Sequence, residues 1–199
     1  IERLIVATNR NDILARFFAS GDYRTGKVEP TISPSMDIQV SSNFERLLFD
    51  LCGRDGAAVA AYMQELAAAG GFRVGANQMA EARALFDADR IDEAETSMTI
   101  ADVMQRTGWL ADPHTAVALA AAKHRRGDPG VPMVTLATAH PAKFPVAVEQ
   151  ACGIRPALPP SLAALMQRAE RCERLPNDLA RVEAFVRERS RVSSKAGAA

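Results

Sequence analysis

Hydrophobic and polar positions along this chain switch between two periods, and the switches mark its elements. Leu4, Ile5, Val6 and Ala7 form an unbroken apolar run, the pattern of a short buried strand. Thr8 to Asp12 is a polar turn in which Asn11 and Asp12 are placed to cap a helix over Ile13 to about Ser20, closed by Gly21. Residues 22–34 hold Gly26, Pro30 and Pro34 and read as a loop. Ser42 with Glu45 makes a capping box ahead of the stripe Phe44, Leu47, Leu48 and Leu51, which Gly53 ends. An alanine-rich helix is predicted over 56–69, stopped by Gly70 and Gly71, then an acidic helical stretch over 76–95. Ser97 or Thr99 opens a further helix through Gln105, ending at Gly108.

Asp112 is a good N-cap and Pro113 a good first helical residue, since proline there costs no hydrogen bond. The helix runs on from Ala116 to about Arg126. Lys123, His124, Arg125 and Arg126 sit at its end, where the dipole favours cations. Val131, Met133, Val134 and Leu136 then give an apolar, β-prone run ending near Thr138. Pro141 opens a helix with the stripe Ala142, Phe144 and Val148, stopped at Gly153. Pro156, Pro159 and Pro160 mark a break, followed by amphipathic helices over 161–172 and 177–190. Many helices between few strands give an α/β class, a partial open twisted sheet flanked by helices. The expected organisation is a main body over 1–155, C-terminal helices over 156–192 packing on it, and a frayed tail over 193–199.

Composition narrows the possibilities. The chain has 199 residues, 48% hydrophobic and 24% charged, with formal net charge +0. That is an ordinary soluble composition, and the neutral total argues against nucleic-acid and acidic-membrane partners. No apolar run approaches the roughly 18 residues of a membrane span. Cys52, Cys152 and Cys172 are unpaired by spacing, which suits a reducing, cytoplasmic setting. Neither Cys nor His shows zinc spacing, so no metal is expected. The opening Ile1-Glu2-Arg3 has no basic leader and no initiator methionine, and reads as an internal start.

The chemistry-bearing side chains gather at the changes of period. Thr138, His140 and Lys143 lie where a strand gives way to a helix, just outside a strand's carboxyl end, where open α/β sheets bind ligands. His140 serves equally as a cap for the following helix or as a site-lining residue. Lys143 sits on a first helical turn with no apolar pocket to desolvate it, and reads as solvated. His114 lies at a helix start, which attracts anionic groups. Asn9, Asn11 and Asp12 form an Asx-rich turn at another strand end.

The run Thr135-Leu136-Ala137-Thr138-Ala139-His140-Pro141-Ala142-Lys143-Phe144-Pro145 resembles the C-terminal signature of threonine synthases. Asp112-Pro113-His114-Thr115, Asn9-Arg10-Asn11-Asp12, Ser33-Pro34-Ser35-Met36-Asp37 and Ser41-Ser42-Asn43-Phe44-Glu45-Arg46 are similar to further motifs of that family, in its order. Together they cover roughly residues 1–150. The resemblance implies the C-terminal half of a fold-type-II, tryptophan-synthase-β-like domain. It implies pyridoxal 5'-phosphate as cofactor and conversion of O-phospho-L-homoserine and water to L-threonine and phosphate, a lyase reaction of threonine biosynthesis. Thr138 takes the role of the neutral hydroxyl that meets the pyridine nitrogen. Thr135 is the alternative, but strand alternation aims it at the other face. His140 is a second cofactor-side candidate and His114 a catalytic one. Asn9, Asn11, Asp12 and Ser35 are candidates for substrate contact. The Schiff-base lysine and the phosphate-binding loop belong, in that family, to the half preceding Ile1, so these residues alone are expected to be inactive and to need that N-terminal half. The competing readings are a non-catalytic Rossmann-like binding module, weakened by the lack of a G-x-G-x-x-G, and a related pyridoxal-phosphate enzyme such as a threonine dehydratase.

Overall fold

The computed structural model describes residues 1–191 and divides the chain into two units, the first spanning Ile1–Leu158 and the second starting at Pro159. The elements of the first unit are β1 (Leu4–Thr8), α1 (Ile13–Ser20), β2 (Asp22–Arg24), α2 (Phe44–Leu51), α3 (Gly56–Ala69), β3 (Gly71–Arg73), α4 (Ala76–Leu85), β4 (Phe86–Arg90), α5 (Glu93–Thr107), α6 (Pro113–Arg125) and α7 (Pro145–Cys152). Strands β1 and β4 pair in parallel, with Leu4 opposite Phe86 and Thr8 opposite Arg90. Strands β2 and β3 pair antiparallel. The class is α/β, as the pattern of elements predicts.

Alternation along β1 sends neighbouring residues to two cores. Val6 joins Phe86 and Ala88 beside α1, α2 and α4, while Ile5 and Ala7 join Val117, Ala120 and Ala121 of α6. A third cluster, Ile100, Ala116 and Val148, ties α5, α6 and α7 together. The first core is aromatic. Tyr23 stacks between Phe44 and Phe72, with ring centroids 4.7 and 5.0 Å away, and Phe17 meets Phe44 edge-on at 4.6 Å. Gly71 lets β3 approach β2: a Cβ there would lie 2.8 Å from the Arg24 Cα.

Several expectations need correction. The loop over 22–34 begins with β2, and the acidic stretch over 76–95 is not one helix but α4 followed by β4. Strand β4 reads as helix because it follows α4 with no glycine or proline between them and is rich in Asp and Ala, which are poor strand formers. The Asp87 and Asp89 carboxylates face the basic end of α6: Arg125 Nη1 donates to Asp87 at 2.9 Å, and His124 Nδ1 lies 2.8 Å from Asp89. Helix α5 starts at Glu93, capped by Asp92, rather than at Ser97 or Thr99. The Ser42–Glu45 capping box does not form, and Asn43 is the N-cap of α2. Asp12 does not cap α1 through its side chain; it pairs with Arg16 at 2.8 Å and Arg90 at 3.4 Å.

The apolar run 131–138 forms neither strand nor helix. A strand needs a neighbour for its N–H and C=O groups, and among the described residues β1 and β4 pair only with each other. Val134 and Leu136 are therefore exposed. In the second unit the helix expected over 161–172 is two short 3-10 turns, Pro160–Leu162 and Leu165–Gln167. Leu162, Leu165 and Met166 are exposed there, and a short helix without a buried face is marginal in water. Helix α8 (Leu179–Arg189) is capped by Asp178 and carries the Arg189 guanidinium 3.9 Å from the Phe185 ring centroid. The tail expected to fray lies outside the described residues.

The Tyr23 hydroxyl accepts the Ser41 N–H at 2.7 Å, and burial pushes the phenol pKa up. Tyr23→Phe keeps the stack but leaves that N–H without its acceptor, so it should lower unfolding free energy in urea by about 1–3 kcal/mol. His124 places Nδ1 on Asp89 and Nε2 on Glu95, 2.7 Å away. Its pKa is raised above the ordinary histidine range, chiefly by the hydrogen bond to Asp89, with Glu95 adding to it against desolvation. The stabilisation belongs to the protonated ring, so it is full below about pH 6.5 and is lost as pH rises through the raised value. Melting scans from about pH 5.5 to 8.5 should show the wild type losing its advantage over His124→Gln as pH rises.

Candidate functional site

At the carboxyl end of the parallel pair, β1 runs into the turn Asn9–Asp12 and β4 into Ile91, Asp92 and the start of α5. Ile91 N–H bonds to Thr8 C=O at 2.9 Å, which holds the two exits side by side. Loop 31–37 lies against them. Asn9 is fully buried and its amide nitrogen donates to Thr31 Oγ1 (2.8 Å), Ser33 Oγ (3.0 Å) and Asp37 Oδ1 (2.8 Å). Its amide oxygen accepts from Asn11 N–H at 2.8 Å. Asn11 binds Glu29 in both directions, Nδ2 donating to the carbonyl at 2.8 Å and Oδ1 accepting the N–H at 2.9 Å. Asp37 closes the loop by also accepting from the Thr31 hydroxyl and N–H at 2.6 and 2.9 Å. The Asn9 and Asn11 amides are thus engaged within the protein, where they shape the loop.

Helix α6 is capped by Asp112, whose carboxylate is fully buried. Oδ1 accepts the His114 N–H at 2.9 Å and the Thr115 N–H at 3.4 Å, the capping geometry expected from the sequence. The same oxygen lies 3.1 Å from His114 Nδ1, and Oδ2 accepts the Thr115 hydroxyl. The other ring nitrogen, Nε2, accepts the Ser35 N–H at 3.1 Å. That bond fixes the tautomer: the proton sits on Nδ1 and is donated to Asp112. The His114 ring lies 4.6 Å from the Phe144 ring. So His114, expected as a catalytic group, is buried with both nitrogens committed to protein partners.

Thr138 lies beyond Thr115, its N–H bonded to the Thr115 hydroxyl oxygen at 3.3 Å. Its side chain is exposed, and among the described residues the hydroxyl has no hydrogen-bond partner. The same holds for the Ser35 hydroxyl. His140 caps the 3-10 turn Pro141–Lys143, accepting the Ala142 N–H on Nδ1 at 3.1 Å. Lys143 reaches over the Phe144 ring, 5.7 Å from its centroid. Thr115 and Glu93 are site residues that the sequence reading passed over. Glu93 Oε2 accepts the Ile32 N–H at 2.9 Å, and its Oε1 is buried without a hydrogen-bond partner among the described residues. A threonine three positions after an N-cap aspartate was the available signal for Thr115; Glu93 was hidden in an acidic stretch that looked like a solvated helix.

These features define an α/β chain that presents its polar side chains at the carboxyl ends of parallel strands, beside a helix start. It is similar to threonine synthases, over the C-terminal part of those proteins. The family model described as "Threonine synthase, C-terminal" matches residues 115–186. The threonine synthase of Pseudomonas aeruginosa is 54% identical over 187 residues, covering 94% of this chain and 40% of that protein. A crystal structure of threonine synthase from Brucella melitensis with pyridoxal phosphate bound superposes with TM-score 0.87 at 51% identity, over 96% of this chain and 41% of that one. The yeast threonine synthase structure gives TM-score 0.84 at 35% identity, over 94% and 42%. The chain therefore spans about 40% of the length of these three relatives. Among the described residues no helix is long and apolar enough to cross a membrane.

The buried carboxylate makes a direct prediction. Asp112→Ala removes the cap and leaves the donors of His114 and Thr115 unpaired, so it should cost at least about 2 kcal/mol in urea unfolding. Asp112→Asn keeps one oxygen for the backbone N–H groups and should cost less.

Proposed function

We propose that this chain is the C-terminal part of a pyridoxal-phosphate-dependent threonine synthase, a lyase that converts O-phospho-L-homoserine and water to L-threonine and phosphate in the cytoplasm. The observation that carries the reading is the 54% identity with a threonine synthase along 94% of the chain. The signature around Thr138 and the likeness to a cofactor-bound threonine synthase structure support it. On this reading the lysine that attaches the cofactor and the loop that holds its phosphate come from the remainder of the enzyme. Residues 1–199 alone should release no phosphate from the substrate.

The residues present suit the cofactor in one respect: an exposed hydroxyl without a partner among the described residues, Thr138, stands on a backbone anchored to a buried helix start. When bound, pyridoxal phosphate supplies the electron sink that lets bonds at the substrate's carbons break. Thr138 would donate a hydrogen bond to the ring nitrogen without bringing a charge, which would leave that nitrogen neutral; a carboxylate in its place would favour the protonated ring. Ser35 offers its hydroxyl to the substrate from loop 31–37. Asn9 and Asn11 give that loop its shape, and Asp12 holds the turn by pairing with Arg16 and Arg90. His140 shapes the backbone after Thr138 by capping the turn that follows.

In the full-length enzyme, phosphate release from O-phospho-L-homoserine with stoichiometric threonine tests the activity. Thr138→Val should weaken cofactor retention by one hydrogen bond, about 0.5–1.5 kcal/mol or roughly two- to twelvefold in Kd. Thr138→Ser should retain wild-type affinity. Equal affinity in all three proteins would remove Thr138 from the ring.

A further inference from the structure

Two hydroxyl-bearing segments of the site, the Ser35 loop and the Thr138 turn, hang from one buried group. Ser35 N–H donates to His114 Nε2, and His114 Nδ1–H donates to Asp112 Oδ1. On the other side Thr138 N–H donates to Thr115 Oγ1, and the Thr115 hydroxyl donates to Asp112 Oδ2. Every proton in both arms points inward, toward the carboxylate. Ser35 and His114 are 79 residues apart in sequence, and Thr138 and Thr115 are 23 apart, so neither link is a product of local chain geometry. Asp112 and His114 are at most 7% exposed at the side chain, so the two bonds that end on the carboxylate are shielded from water, while the outer bonds at Ser35 and Thr138 are part-buried.

We infer that Asp112, His114 and Thr115 form a positioning unit that sets the Ser35 loop and the Thr138 turn in one register. His114 acts through the Ser35 backbone rather than as an acid or base. Its Nε2 lone pair is occupied by the Ser35 N–H, and its Nδ1 proton is held by a carboxylate. Neither nitrogen is available to take or give a proton without breaking an anchor. Phe144, packed on the ring, keeps the imidazole plane aimed between its two partners. The loop has a second anchor, Glu93 Oε2 on the Ile32 N–H. Loss of His114 should therefore loosen the Ser35 end of the loop while leaving the Ile32 end attached. The geometric part of this inference stands on the contacts alone; its consequence for turnover rests on the threonine synthase reading.

The test uses the full-length enzyme and three variants. His114→Gln keeps an acceptor of similar reach for the Ser35 N–H. His114→Leu keeps bulk against Phe144 but has no acceptor. Thr115→Val removes the hydroxyl between Thr138 and Asp112. Hydrogen–deuterium exchange followed by mass spectrometry reads peptides over 31–38 and 136–140, with α3 as the control. His114→Leu should speed exchange in 31–38 by about tenfold, and His114→Gln should stay within about threefold of wild type. Thr115→Val should speed 136–140 by about tenfold. In turnover, His114→Leu should raise KM for O-phospho-L-homoserine more than it lowers kcat, with His114→Gln rescuing both. Unchanged exchange over 31–38 in His114→Leu overturns the inference. So does a kcat loss in His114→Gln as deep as that in His114→Leu, because a lost proton donor, unlike a lost acceptor, is not replaced by an amide. If His114→Leu does not fold, the Gln and Thr115→Val arms still decide. An exchange pattern as expected in a wild-type enzyme that releases no phosphate would refute the activity and leave the positioning unit standing.

Discussion

A carboxylate taken out of water must be met by donors on nearly every lone pair, or it will not stay charged and buried. Asp112 meets that demand at the start of α6, where two backbone N–H groups are left over by the helix itself and the dipole favours a negative charge. The cap alone would satisfy one oxygen. The imidazole and the threonine hydroxyl complete the set, and each of them has a second hydrogen-bonding function to place. Those second functions reach into loop 31–37 and the Thr138 turn. The requirement of one buried anion thereby fixes segments from three parts of the chain.

The rest of the first unit can be read as support for that helix start. Val117, Ala120 and Ala121 seat α6 on β1, and Ala116 seats it on α5 and α7. Its far end is held by a different kind of force. There the basic residues that complement the helix dipole also meet Asp87 and Asp89 of β4. These ion pairs are partly solvated and individually weak. Their arrangement nevertheless has a structural consequence: a strand with two aspartates is tolerated in a parallel pair because a helix terminus supplies the cations. The buried end of α6 thus carries the site, and the solvated end carries the charge balance.

Legibility in the sequence followed the range of the interactions. Helices α1, α3 and α7 end at glycines that adopt left-handed backbone, and those stops were plain from the residues. The cap at Asp112 was equally local and was read correctly. Strands β2 and β3 are three residues each and owe their existence to each other, with Asp22 and its partner Arg73 51 positions apart and no period long enough to see. Strand β4 was misread because its polar face is acidic and only its partner shows why. The run 131–138 has the composition of a buried strand, yet its apolar side chains stay exposed, since composition expresses a preference and pairing requires a neighbour.

The site shows the same division more sharply. Thr138, Ser35 and His114 all stand out in the sequence as chemistry-bearing residues, but in separate roles. Only the folded chain shows that the first two present their hydroxyls outward while their backbones are tied inward, and that the third is one of the ties. A hydroxyl that must meet a ligand gains little from its own rotamer unless the backbone beneath it is fixed, because misplacement by an ångström weakens the hydrogen bond it is there to make. Anchoring through the main-chain N–H leaves the side chain free for the ligand, which anchoring through the side chain would not. That is why the groups that position the site sit one bond behind it, on a helix start dry enough for a carboxylate to hold them.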